Sequence, residues 1–356
     1  MKILTDRHHH GLLESLHLLF EDRFDIEVYV PFGMQWFDRE YWNFEREWHH
    51  DAVARQYLVG VWEGADAHDG VVRQPDPRQP DRMVKGIKLD AALTTDWDIV
   101  LTSLPHNYDG YYRLAQETGA KYAIQIGNNV QTWDPRADFA LASSTLPGFG
   151  PEWVTKTFEY EGVPTVMYHQ EFRLSDFRYE WPQAGPNNVI ASFVNCFPEG
   201  PSYPAFASFA RAVPEFDWRV YGAYGTGAPD EFKAGDIGTT AGVADAMRAA
   251  RVGWHSKHWS DGFGHVIHNW AAVGRPVIGI PRYYRDKLAG PLFVEGVTSF
   301  DLESRDAFEL ATLLRRLRDD DDYHHRISQD MFVRFTQVVD FDADAEAVYD
   351  LLGRVL

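Results

Sequence analysis

The stretch His255 to Gly279, HSKHWSDGFGHVIHNWAAVGRPVIG, puts an acid and two glycines between a strand pattern and a helix pattern. Asp261 is followed by Gly262, Phe263 and Gly264, and a helical run over 264–273 ends at Gly274 and Pro276. The first N–H groups of a helix have no partner inside it, and the helix dipole adds positive potential there. Such a turn suits a phosphate-like anion, and glycine lets the backbone come close to it. A carboxylate at 261 can accept bonds from sugar hydroxyls or cap the helix. Asn269 falls about two turns into the helix, and Gly274 followed by Pro276 is a helix stop.

The surrounding elements explain why this turn would sit at a sheet edge. Residues 1–6 and 25–33 read as strands around a helix over 11–24, which is a βαβ opening and argues for a parallel sheet. Residues 36–58 read as an aromatic helix, and 69–86, rich in Pro, Asp and Arg, as a loop or excursion. Strands at 97–103, 121–127, 138–144 and 165–172 alternate with a helix over 107–119. Residues 178–188 break the pattern and read as a linker. Strands at 188–195, 217–225, 251–256 and 275–280 then alternate with helices at 204–214, 243–250, 264–273 and 308–317, and helices continue from about Tyr323 to the end. The expected architecture is α/β, with two Rossmann-like doubly wound domains facing a central cleft. Residues 1–180 form an N-terminal acceptor-side domain and 188–335 a C-terminal domain. A helix over 336–356 packs back on the first. Sheets of this kind bind ligands at the carboxyl ends of their strands.

Composition narrows the chemistry. The net charge of −19 is spread over both halves, so the basic footprint that non-specific nucleic-acid binding requires is missing. Anionic membrane surfaces are disfavoured for the same reason. With one cysteine, Cys196, no intramolecular disulfide can form, which fits a reducing compartment. No apolar run approaches the roughly 18–20 residues that span a bilayer, and the N-terminus lacks an apolar signal core. The expected location is the cytoplasm, with no stable membrane anchor.

The segment VADAMRAARVGWHSKHWSDGFGHVIHNWAAVGRPVIGI resembles the C-terminal domain of family-4-type glycosyltransferases of the GT-B fold. Gly262, Phe263, Gly264, Gly274, Pro276, Val277 and Ile278 match the family pattern as they stand. Asp261 takes the place of its first glutamate, and Asn269 that of the second. The likeness extends over roughly 240–340. It implies a nucleoside-diphosphate sugar, such as a UDP- or GDP-sugar, as co-substrate, with no tightly bound cofactor and no metal. It also implies retention of configuration. Under it, Gly262, Phe263 and Gly264 hold the diphosphate or sugar, Asp261 binds sugar hydroxyls and Asn269 the ribose. The family's Arg and Lys after the first strand of this domain are missing from NCFPEGPSYP. Lys257 is the first substitute for that charge, followed by Arg282, Arg285 and Lys287.

Other polar candidates follow N-terminal strands. His106, after the strand at 97–103, would contact acceptor or sugar. Asp6, His8, His9 and His10 follow the first strand, where at least one would line the acceptor side. Adjacent histidines point to opposite sides of an extended chain and seldom share one ion, so no metal is assigned to them. Asn128 and Asn129 read as a turn, and Trp36, Trp42 and Trp48 as packing. The acceptor is open: saccharide, protein or modified nucleobase. The alternatives are a non-catalytic sugar- or nucleotide-binding protein of the same fold and a GT-B-like nucleotide-sugar epimerase.

Overall fold

A computed structural model describes residues 1–6, 10–32, 36, 69–127, 133–144, 157–160, 162–182, 186–193, 202–222, 230–256 and 262–356. In chain order come β1 (Lys2–Thr5), α1 (His10–Leu16), β2 (Glu27–Pro31), β3 (Val71–Pro75), β4 (Met83–Ile87) and α2 (Leu89–Ala92). Next are β5 (Ile99–Thr102), α3 (Tyr108–Thr118), β6 (Lys121–Ile126), β7 (Phe139–Ala142), β8 (Thr157–Tyr160) and β9 (Val163–Met167). After these lie β10 (Val189–Phe193), α4 (Ser202–Ala212), β11 (Asp217–Tyr221), β12 (Lys233–Gly235), α5 (Thr240–Ala249) and β13 (Val252–His255). The chain closes with α6 (His265–Ala272), β14 (Val277–Gly279), β15 (Ser299–Asp301), α7 (Ala307–Asp319), α8 (Asp321–Val338) and α9 (Phe341–Val355). Met1–Phe172 with Phe341–Leu356 form one compact unit, and Arg173–Asp340 the other.

The first unit holds a nine-stranded sheet in the order β3-β4-β2-β1-β5-β6-β7-β9-β8. All neighbours are parallel except the two edge hairpins, β3–β4 and β8–β9. Apolar runs such as IVLT in β5 and FALA in β7 are buried at every residue, as parallel strands covered on both faces should be. Ile3, Val28, Ile99, Leu101 and Leu141 share one core with Leu13 and Leu16 of α1 and with Val348, Leu351 and Leu352 of α9. Helix α3 buries Tyr108, Tyr111, Leu114 and Ala115 along one face and stops at Gly119, whose φ is 75°.

Two local expectations change. Residues 69–86 form the antiparallel hairpin β3–β4, with the Pro-rich stretch confined largely to its tip. The tip is closed by Asp76 N donating to Arg82 O at 2.8 Å and Arg78 N donating to the Asp76 carboxylate at 2.8 Å. Pro75 sits on the edge strand, where the ladder loses least from its missing N–H. The helix expected over 11–24 is α-helical only to Leu16 and winds as a π-helix over His17–Arg23. Fully buried His17 meets Glu21 there at 2.8 Å, while Glu21 accepts from Lys85 Nζ at 2.9 Å and Val28 N at 3.2 Å.

The second unit carries a six-stranded parallel sheet, β12-β11-β10-β13-β14-β15. Trp218 and Trp254 pack against Phe206 at ring separations of 5.0 and 5.6 Å. On β13, a Cβ at Gly253 would meet the Trp270 ring at 2.5 Å, so only glycine lets α6 lie this close to the sheet. The 178–188 stretch, read as a linker, is built into this unit. Tyr179 stacks on Phe332 at 5.0 Å, and the Glu180 and Pro186 carbonyls accept from Arg275 and Arg251. Among the described residues, fully buried Arg275 donates only to carbonyls: those of Arg248, Ala250, Val273, Gly274 and Glu180. Burial lowers its pKa to about 10.

Candidate functional site

Strand β13 pairs with β14 so that His255 lies opposite Gly279, and both strands end at one sheet edge. From that edge the chain reaches Gly262, Phe263 and Gly264, all buried, and enters α6. Gly264 has φ 79° and ψ 44°, the left-handed region that glycine occupies without a Cβ penalty. A Cβ there would stand 2.9 Å from Ala289 Cβ and 3.3 Å from the Tyr284 ring. Both the backbone angle and the packing therefore require glycine. Its carbonyl accepts from Ile267 N at 2.9 Å and His268 N at 3.2 Å, which starts the helix.

Other helices of this unit carry side-chain caps. Thr239 caps α5, Asp306 and Glu309 form a reciprocal box on α7, and Asp320 caps α8. Among the described residues α6 has no side-chain cap and no acid in its first turn. Among the described residues no acid therefore offsets the positive end of its dipole. Asn269 is 5% exposed, and its Oδ1 has no hydrogen-bond partner among the described residues. A buried acceptor left unmet is costly and calls for a reason.

The basic candidates are spent differently. Arg282, in a 3-10 turn after β14, is exposed, pairs with Glu303 through both Nε and Nη2, and stacks over Tyr283 at 4.5 Å. Those bonds to Glu303 raise its pKa. Arg285 is exposed beside Asp286 at 3.5 Å. Lys287 is buried with its ammonium 5.4 Å from the Tyr284 ring. Lys257 and Asp261 lie outside the described residues.

In the first unit, Asp6 is 4% exposed. Its carboxylate accepts from Thr102 Oγ1 at 2.6 Å, Ser103 Oγ at 2.5 Å, Ser103 N at 2.9 Å, Leu104 N at 3.1 Å and Asn107 Nδ2 at 3.2 Å. Burial pushes its pKa up, while the Ser103, Thr102 and Asn107 bonds pull it down. The protein itself occupies this carboxylate, so Asp6 is an anchor for the loop after β5. That loop carries His106, in the turn Pro105–Asn107, although the His106 side chain lies outside the description. His10 begins α1, and its side chain is likewise not described; His8 and His9 lie outside the described residues, as do Asn128, Asn129, Trp42 and Trp48. Trp36 is packing: it is 2% exposed and donates Nε1 to Ile87 O at 2.6 Å.

Sequence reasoning passed over His268, which donates Nδ1–H to Gly264 O at 3.0 Å and stacks on Phe263 at 4.1 Å. The signal was there, since a side chain four residues into a helix faces the first residue. Among the described residues no group of three or more His, Cys, Asp or Glu could hold a metal ion, and no helix is long and apolar enough to cross a membrane.

No protein-family model and no curated protein matches the chain by sequence. Solved structures do. HepE from Anabaena, in complex with UDP and glucose, gives a TM-score of 0.66 over 99% of this chain and 100% of that one, at 13% identity. Sucrose-phosphate synthase from Thermosynechococcus elongatus gives 0.60 over 100% and 99%, at 12% identity. AviGT4, a glycosyltransferase involved in avilamycin A biosynthesis, gives 0.55 over 100% and 98%, also at 12% identity. At these identities the likeness establishes the fold. It is the α/β GT-B fold, with two Rossmann-like domains, as the sequence resemblance implied.

Proposed function

We propose that the chain is a glycosyltransferase that moves a sugar from a nucleoside-diphosphate sugar to an acceptor, with retention at the anomeric carbon and without a metal ion. In this reaction the bond from the anomeric carbon to the diphosphate breaks, a bond to an acceptor oxygen forms, and that oxygen loses its proton. The observation that carries the reading is the N-terminus of α6 behind left-handed Gly264, which no side chain caps among the described residues, at the carboxyl edge of the parallel sheet. Peptide N–H groups there suit the leaving diphosphate, whose charge grows in the transition state. Asp261 would read the hydroxyls of the transferred sugar. The unmet Oδ1 of Asn269 would accept a hydrogen bond from the ribose. His106, on the loop anchored by Asp6, would meet the acceptor or sugar, and His9 or His10 would line the acceptor side. Lys257 is the base best placed in sequence to face the diphosphate. The UDP and glucose in the HepE structure support a UDP-sugar donor, with GDP-sugars as the next choice. The single cysteine supports a cytoplasmic enzyme, and the charge balance supports a saccharide, protein or modified nucleobase as acceptor more than a reaction that grips a duplex or a membrane.

The test is a thermal-shift screen of nucleotide sugars followed by calorimetry. UDP or GDP should raise the melting temperature, and Asp261→Ala should abolish transfer while leaving the fold intact. If no nucleoside diphosphate binds at millimolar concentration, the proposal fails. The engagement of Arg282 by Glu303 favours a second reading, a sugar-binding protein of this fold that has lost catalysis. Slow donor hydrolysis by the purified protein would exclude it.

A further inference from the structure

The left-handed turn at Gly264 needs something to hold it, because glycine has nearly equal access to both signs of φ. The bonds from Ile267 N and His268 N to Gly264 O begin the helix but do not fix the residues before it. The side chain of His268 adds a third donor on the same carbonyl, Nδ1–H to Gly264 O at 3.0 Å. Its ring also lies nearly parallel to Phe263, at 4.1 Å and 10°. His268 is fully buried and Phe263 is 2% exposed, so solvent does not compete for either contact. One side chain therefore grips the two residues, Phe263 and Gly264, that stand immediately before α6. To donate to that carbonyl the ring must carry a proton on Nδ1. Ala289 and Tyr284 fill the space that a Cβ on Gly264 would need.

We infer that His268 is the positioning residue of this turn: its Nδ1–H bond to the Gly264 carbonyl and its stack on Phe263 hold the Gly262–Gly264 backbone in the shape that receives the donor diphosphate. The use of the turn rests on the glycosyltransferase reading, but the positioning itself does not. Histidine is a modest helix former, so helix propensity does not account for it at this place. A buried leucine would fill the space but could neither donate to the carbonyl nor match the flat Phe263 ring.

Two variants of the full chain separate the roles. His268→Leu removes the donor and the ring, while His268→Gln restores a donor without the ring. Amide hydrogen exchange in the unliganded protein is read first. His268→Leu should speed exchange at Phe263–Val266 by tenfold or more, with β13 and β14 unchanged, and His268→Gln should recover much of the protection. UDP titration is read second. His268→Leu should raise the UDP dissociation constant about tenfold, and the donor KM should rise with it more than kcat falls. Unchanged exchange in His268→Leu would overturn the inference whatever binds. So would equal loss of protection in both variants, since packing alone would then hold the turn. If exchange responds as expected but the wild-type chain binds neither UDP nor GDP, the positioning stands and the glycosyltransferase reading falls.

Discussion

Ser103 donates to the Asp6 carboxylate twice, through Oγ at 2.5 Å and through its backbone N–H at 2.9 Å. This ties the end of β1 to the loop after β5, two elements that adjoin because Thr5 pairs with Leu101. Three further donors converge on the same buried group, from Thr102, Leu104 and Asn107. Asp6→Ala removes the acceptor that these donors share, so it should lower the unfolding free energy by about 3 kcal/mol or more, since a buried donor that loses its partner costs roughly 1–3 kcal/mol. Urea denaturation measures this, and a loss under about 1 kcal/mol would remove Asp6 from its anchoring role. The loop carrying His106 should loosen in parallel, so nucleotide-sugar turnover should fall more than donor binding does.

The sequence declared the elements that are defined locally. Apolar runs bounded by glycine gave the parallel strands, and the stop at Gly119 ended α3 as expected. The GFG turn likewise emerged as a left-handed entry to a helix. What stayed hidden depends on distant partners. Asp6 reads as a free acid after a strand, but its side-chain donors stand 96 to 101 residues away. Nothing local in GRPVIG shows that Arg275 is buried and spends its donors on carbonyls of the 178–188 strap and the end of α5. The Pro-rich excursion was opaque because proline demotes a strand locally, whereas an edge hairpin tolerates it. The π-turn after α1 carries Glu21, which accepts from both Lys85 and Val28, contacts that no periodicity encodes.

Gly264→Ala tests the turn directly. Its Cβ would meet Ala289 at 2.9 Å in a residue at φ 79°. A left-handed alanine costs roughly 1–2 kcal/mol and overpacking about 1–3 kcal/mol more, so stability should drop by about 2–5 kcal/mol and UDP binding should be lost. Gly119→Ala is the control, because φ is 75° there but nothing lies within 4 Å of the added atom. It should cost only the conformational part and leave binding intact. Equal losses in the two variants would mean that crowding at Gly264 is relieved by movement of Tyr284 and Ala289.

Asn269→Leu separates ligand use from packing. Replacing a buried acceptor that has no partner among the described residues by an apolar group of similar size is close to neutral, or stabilising. The melting temperature should therefore hold or rise, while the affinity for UDP falls about tenfold. That factor corresponds to the loss of one hydrogen bond of about 1.4 kcal/mol. A variant that melts lower and binds as well as wild type would place Asn269 in the fold and not in the donor site.

His324 gives the second unit a defined acid sensitivity. Its Nε2–H donates to Arg251 O at 2.7 Å, and Trp181 covers the ring at 5.2 Å. Burial, with Arg251 nearby, lowers its pKa to about 3 from the ordinary 6.5. Because the folded pKa is the lower one, the unfolded chain takes up the proton first. The stability that depends on a neutral His324 is therefore complete above pH 6.5 and drains away as pH falls toward 3. The slope approaches about 1.4 kcal/mol per pH unit for one proton. Denaturation midpoints of the wild-type chain between pH 7 and pH 4 should follow that slope. His324→Gln, which keeps a donor for Arg251 O and cannot titrate, should start lower at pH 7 and fall less steeply. Parallel pH profiles for the two proteins would show that the acid sensitivity arises elsewhere, with the lowered-pKa carboxylate Glu21 in the first unit as the next group to test.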